Sequence, residues 1–188
     1  MDKLAAVAAL ALLSGCAIID STISVQHEHP TATARLTRQR QISLTTTRSN
    51  PEPRQGVKKN GYGSELAAVY TDPKPEKLIR EALETELLNA GFTVGENSPG
   101  DISVEIQNFF AEPEVGFFAG DVYAEVDAVV SVKFDNGTRL RRRFKGLGKV
   151  TTLVWSDGFF HDAMVQAVDN FLAKAVPEIV RVFDAGSM

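Results

Sequence analysis

The chain has 188 residues, 44% of them hydrophobic, which is the size of one ordinary globular domain with enough apolar material to bury a core. Its formal net charge of -4 excludes a general nucleic-acid binder, because neutralising phosphates needs a basic excess. The single cysteine, Cys16, excludes an intramolecular disulfide and a cysteine-rich zinc site.

At the N-terminus Lys3 precedes about ten small or apolar residues, 4–13. That run is too short for the ~30 Å hydrocarbon core of a bilayer but has the length of a signal-peptide apolar region. The four residues that follow, Leu13-Ser14-Gly15-Cys16, resemble the bacterial lipobox, in which a small-residue pair precedes a cysteine that receives diacylglycerol before the signal is cut. The resemblance implies a signal peptide over residues 1–15 and a mature chain that starts at an acylated Cys16. The alternative is a buried N-terminal helix with Cys16 as a small core residue; Asp2 weakens the basic segment that would separate the two readings. Each buried CH₂ of an acyl chain contributes ~0.8 kcal/mol, so the two or three chains of a lipoprotein make attachment effectively permanent. By the same resemblance, Ala17 in place of Asp after the cysteine implies release to the outer membrane, and Asp20 lies too far along to act as a retention signal.

Residues 17–38 are rich in Ser, Thr and Gln, with one Pro and no sustained apolar period, and read as a tether or weakly ordered lead-in, part of which can pair as an edge strand. About twenty flexible residues have an r.m.s. reach of roughly 25 Å. His27-Glu28-His29 lies in this stretch; without a third or fourth ligand the two histidines read as solvated tether residues, not a metal site. Residues 41–46 form a strand with Ile42 and Leu44 alternating. Residues 49–63, with Pro51, Pro53, Gly56, Gly61 and Gly63, read as a long loop with Lys58 and Lys59 in solvent.

A helix follows, with Asp72 as N-cap, Pro73 in its first turn, and Leu78, Ile79, Ala82, Leu83, Leu87 and Leu88 at helical spacing before Gly91 stops it. Residues 92–94 are a short strand and 101–110 a longer one. Val122, Ala124, Val126, Ala128, Val130, Val132 and Phe134 then alternate with mostly polar residues and turn at Asp135-Asn136-Gly137 into 138–145. A two-residue loop would set arginines on the apolar face; a three-residue loop with a Gly137 bulge pairs Phe134 with Thr138 and Val132 with Leu140, and is the expected register. It puts Leu140 and Phe144 inward, Arg139, Arg141, Arg143 and Lys145 outward, and Arg142 at the margin of the inner face. Gly146 and Gly148 mark a bend or turn before a last strand over 149–155. A C-terminal helix from about Asp157 carries apolar pairs every four residues, with Pro177 loosening its last turn. The expected fold class is α+β, a largely antiparallel sheet with two amphipathic helices packed on one face.

The runs LIREALETELLNAGFTVG, DISVEIQNFF and DVYAEVDAVVSVKFDNGTRLRRRFKG, followed by the amphipathic helix, resemble the YajG family of bacterial outer-membrane lipoproteins in order and spacing. These motifs are structural, so the resemblance bears on fold and location, and implies a single YajG-like domain over 39–183 after the lipidated N-terminus and tether 16–38, with a short tail at 184–188.

No catalytic, metal or cofactor constellation stands out. Ser156-Asp157-Gly158 with His161 lacks nucleophile-elbow spacing and reads as a turn and cap, and Gly146-Leu147-Gly148-Lys149 lacks the spacing of a phosphate loop. Two interaction candidates remain. Arg139, Arg141, Arg143 and Lys145 recur about 7 Å apart on one strand face, either as a docking row for an anionic glycan, lipid or envelope protein or as a solvated face paired with Glu105, Glu125 or Asp127. The Phe109-Phe110 and Phe117-Phe118 pairs flank a Pro- and Gly-containing loop, and Phe110, Phe117 and Phe118 are the candidate contact rings. The expected function is a non-enzymatic binding or accessory module tethered to the outer membrane and facing the periplasm; the alternative is a carrier or sensor of a small amphiphile held between helices and sheet.

Overall fold

In a computed structural model, which describes residues 19–27, 30, 33–96, 98–114, 116, 120–134, 137–153 and 156–185, one sheet carries two helices. The strands are β1 (Ser21–Ser24), β2 (Arg40–Arg48), β3 (Gly56–Lys59), β4 (Glu65–Asp72), β5 (Phe92–Val94), β6 (Gly100–Glu114), β7 (Gly120–Phe134) and β8 (Gly137–Thr152); the helices are α1 (Pro75–Ala90) and α2 (Asp157–Ala185). Helix α1 packs on β2 and β5, α2 on β7 and β8, and the two helices touch each other.

The fold is α+β, but its sheet is mixed. β6–β7, β7–β8 and β3–β4 are antiparallel, whereas β1–β4, β2–β5, β2–β6 and β3–β6 are parallel. The cause lies in β6, whose long edge is shared. Its first half pairs with β2 from Ile42↔Gly100 to Arg48↔Ile106, and its second half meets β3 at Gly56↔Ala111. A bulge between Ile106 and Asn108 separates the halves and reverses the parity of the side chains, so that Ile106 and Phe109 both enter the core.

Part of the lead-in pairs as an edge strand, as its residues allow: β1 lies at the end of the sheet beside β4, and Ile23 and Val25 are buried. Two segments fold differently from the expectation. The 49–63 loop contains β3, because Val57 takes a core position and Gly56 lies where a Cβ would stand 2.6 Å from the Ala111 carbonyl oxygen. Helix α1 starts later than Asp72. That residue closes β4, with its carbonyl accepting from the Val25 amide at 3.3 Å, and Pro75 takes the first helical position after an extended Lys74. Gly91 ends α1 in the left-handed conformation at φ 99°, as its position predicts, while Leu88 turns to solvent and Leu87 fills the core.

The β7–β8 register pairs Val132 with Leu140 as expected, but Phe134 faces Gly137 and Lys133 faces Thr138, so the irregularity sits one step further into β8, past the turn. Gly146 and Gly148 do not bend the chain. They lie within a continuous β8 opposite Val126 and Ala124, on the side facing α2. A Cβ at Gly146 would stand 1.9 Å from the Ala167 carbonyl oxygen, and one at Gly148 would stand 1.8 Å from that of Ala163. The helix backbone therefore lies directly on the strand. Helix α2 continues through Pro177, with Val176, Ile179, Val180 and Phe183 buried on both sides of it.

Contacts this close leave no room for a methyl group. Gly148→Ala is expected to cost about 3 kcal/mol or more in urea denaturation, since the clash is with backbone and no side chain can rotate away. Gly61→Ala, where nothing lies within 4 Å, is expected to change stability by less than about 0.5 kcal/mol. Equal effects would contradict the close approach.

Candidate functional site

With the helices on one face, the polar positions of β6, β7 and β8 form the other. Three acids and three bases interleave there by cross-strand register. Asp127 stands opposite Lys145, Glu125 opposite Leu147, and Tyr123 opposite Lys149. The Asp127 side chain is only 1% exposed. It accepts a bidentate pair from Arg143, Nε and Nη2 each at 2.6 Å, and a third contact from Lys145 Nζ at 3.1 Å. Burial pushes the Asp127 carboxyl up, but Arg143 and Lys145 together outweigh it and hold the group below its ordinary 3.8. Lys145 also reaches Glu125 at 3.2 Å.

Nearer the Gly120 end, Lys149 Nζ lies 2.9 Å from Asp121 and 5.1 Å from the centre of the Tyr123 ring, and these two neighbours raise its pKa. Asp121 is held below 3.8 by the Thr151 hydroxyl, which donates at 2.6 Å, and by Lys149. Tyr123 separates two clefts in this face. One, of about 610 Å³, is lined by Lys59, Tyr62, Glu112 and Tyr123; the other, of about 490 Å³, by Phe110, Tyr123, Leu147 and Lys149. Lys59 spans the first as an ion pair to Glu112 at 2.6 Å.

The residues singled out from the sequence divide accordingly. Arg143 and Lys145 are tied to acids, as one of the two readings of the basic row has it. Arg139 and Arg141 are exposed and make no ion pair among the described residues. Arg142 sits at the margin of the helix face, over Phe144 at 5.5 Å and 3.6 Å from Glu178. Phe109 is core and Phe110 is half-buried in the second cleft. Phe117, Phe118, Leu13, Ser14, Gly15 and Cys16 lie outside the described residues. Ser156, Asp157 and His161 are not hydrogen-bonded to one another. Asp157 instead binds Ser21 Oγ and Lys58 Nζ, and His161 binds Asp162.

Two lysine and histidine readings are corrected. Lys58 is not solvated: its ammonium is buried, donating to the Ile19 carbonyl at 3.2 Å and lying 2.9 Å from Asp157. His27 is not a solvated tether residue either. Its side chain is 2% exposed, with Nε2 3.0 Å from Glu86 of α1 and Nδ1 2.9 Å from Asp169 of α2. The sequence carried a signal for this cluster, since Glu86 falls on the apolar stripe of α1 between Leu83 and Leu87, where a carboxylate must find a partner. No group of three or more His, Cys, Asp or Glu among the described residues is arranged to hold a metal. Tyr62, Tyr123 and Leu147, which shape the clefts, carried no comparable sequence signal.

These features define a class: a two-layer α+β domain with a filled helix side and a charged, cleft-bearing sheet side. The chain belongs to the YajG-like lipoproteins, matching the family described as "Uncharacterized lipoprotein" (Lipoprotein_16) over residues 28–181. It is 22% identical over 139 residues to the uncharacterized lipoprotein YajG of Escherichia coli K12, covering 73% of this chain and 71% of that protein, and matches YajG of E. coli O6:H1 to the same extent. The crystal structure of protein XCC0632 from Xanthomonas campestris shares the fold, with a TM-score of 0.62 over 90% of this chain and 98% of that one at 11% identity. No helix among the described residues is long and apolar enough to cross a membrane.

The depressed carboxyls Asp121, Asp127 and Glu178 fix the sign of the acid response. Their stabilisation is present in full above the ordinary carboxylate range and is lost as pH falls through their lowered folded-state values. The native protein is expected to lose stability from about pH 5 toward pH 2. Asp127→Asn should be less stable at neutral pH and show a shallower acid loss; parallel pH–stability curves would contradict the role given to Asp127.

Proposed function

We propose that this lipoprotein is anchored through Cys16 to the periplasmic side of the outer membrane and acts by binding, as a non-enzymatic module that docks an acidic envelope component, protein or glycan, on its open sheet face. The observation that carries the reading is the contrast between Arg139 and Arg141, exposed and without ion pairs among the described residues, and the neighbouring Arg143 and Lys145, which are committed to Asp127. Charges left uncommitted steer an oppositely charged partner, while the clefts beside Phe110, Tyr123 and Leu147 supply apolar contact area. The amphiphile-carrier alternative asks for space between helices and sheet. There Phe144, Val126, Ala163, Ala167 and Phe171 are buried against one another and the helix backbone rests on Gly146 and Gly148, so a ligand would have to displace packed side chains.

The anchor is tested by labelling and fractionation. Cys16→Ser should abolish acyl labelling and leave an uncleaved precursor, and Ala17→Asp should shift the mature protein to the inner membrane; unchanged labelling, or unchanged outer-membrane recovery of Ala17→Asp, would contradict the respective assignment. Docking is tested by a photo-crosslinking residue at Leu147 in cells, with Lys77 on α1 as control. A discrete adduct at 147, lost when Arg139 and Arg141 are both changed to Glu, is expected; adducts of equal yield at both positions, or indifference to the charge reversal, would contradict it.

A further inference from the structure

The lead-in is fastened at one end of the domain. Ser21 Oγ donates to Asp157 at 3.0 Å, the Asp20 carboxylate accepts from the Ala68 amide at 2.7 Å, and the buried Lys58 ammonium holds the Ile19 carbonyl at 3.2 Å. Asp157 begins α2 directly after the end of β8, so the chain enters where β8 finishes. Three peptide units separate Cys16 from Ile19. Fully extended they span at most ~11 Å, well short of the roughly 25 Å expected of a flexible tether of about twenty residues.

The same end gathers exposed apolar side chains. Ile19 is 68% exposed, Leu153 just after β8 is 81% exposed, and Tyr62 at the tip of the β3–β4 hairpin is 96% exposed. They are three of the five large apolar residues exposed among the described residues. The neighbouring cations are neutralised: Lys58 by Asp157, Lys59 by Glu112, Lys149 by Asp121.

Resting on the reading of Cys16 as the lipid-bearing residue, we propose that this end of the domain lies on the bilayer, with Ile19, Tyr62 and Leu153 entering the lipid interface beside the acyl anchor. Tyrosine and aliphatic side chains at the tip of a short leash suit the headgroup boundary, where one end of the ring is apolar and the other wet. The far end then points away. Arg141 pairs with Ser131, eleven residues along β7 from Gly120, on the order of 35 Å at ~3.3 Å per residue. That is several Debye lengths of ~8 Å from the lipid surface, so Arg139 and Arg141 address the periplasmic space and not the headgroups of the anchoring leaflet.

The test uses full-length lipidated protein with one cysteine introduced by Tyr62→Cys, Leu153→Cys or Arg139→Cys. Acylated Cys16 has no free thiol, so a nitroxide attaches only at the new position. All three positions are exposed, and the core is untouched. In vesicles of phosphatidylethanolamine and phosphatidylglycerol, labels at 62 and 153 should lose collisions with a water-soluble nickel chelate and gain them with dissolved oxygen, while the label at 139 keeps its aqueous behaviour. Vesicles that float with bound protein whose three labels are equally open to nickel would overturn the orientation alone. Protein that fails to float would overturn the anchor, and the orientation with it.

Discussion

The rest of the architecture depends on the backbone of α2 resting on the glycines of β8. At Gly146 and Gly148 the strand presents no side chain, and the carbonyls of Ala167 and Ala163 occupy the space that methyl groups would need. Small residues on both partners bring helix and strand close enough for Phe160, Met164, Phe171 and Leu172 to interdigitate with Val122, Val126 and Phe144. Each such side chain, fully buried, contributes roughly 1.5–3 kcal/mol. The close approach closes the helix face to ligands and leaves the opposite face as the one surface on which β6, β7 and β8 meet solvent together.

That exposed face is organised by charge. Asp127 has no water to share and is satisfied by the guanidinium fork of Arg143 and by Lys145, so two of the four cations in the outward row serve the fold. The remaining two stand at the hairpin end. At the opposite end the buried Lys58 ties Ile19 to Asp157, and deeper in, His27 bridges the two helices through Glu86 and Asp169. Ile19, Asp20 and Ser21 are thereby held as part of the domain.

Much of this was legible in the sequence. The alternation of residues 122–134 and the four-residue repeat of α2 gave elements, faces and the Val132–Leu140 register, because a long strand with one buried face can pair in few ways. β3 and β4 were not legible, and β1 only as an edge strand somewhere in the lead-in. Ser-Thr-Ile-Ser and Gly-Val-Lys-Lys are four-residue segments with one apolar side chain each, and their pairing comes from distant partners, Val69 and Ala111, that no local period announces. The parallel pairing of β2 with β6 likewise depends on everything between them. For Gly146 and Gly148 the sequence showed an absence of side chains on the same parity as Phe144; whether a bend or a helix would use that space was decided by tertiary packing. The site was legible only in part: Arg141, Arg143 and Lys145 follow the expected alternation while Arg139 falls at the β7–β8 irregularity, and the division of the row into ion-paired and exposed cations turned on Asp127, whose burial could not be read from an alternating strand.

The claim that function lies on the sheet face and not between the layers is tested most directly by hydroxyl-radical footprinting of the lipoprotein in intact envelopes against the purified protein. Tyr123 and Leu147 should be protected in the envelope while Leu88, exposed on α1, is modified equally in both. Protection of Leu88 with unchanged labelling of Tyr123 and Leu147 would contradict it.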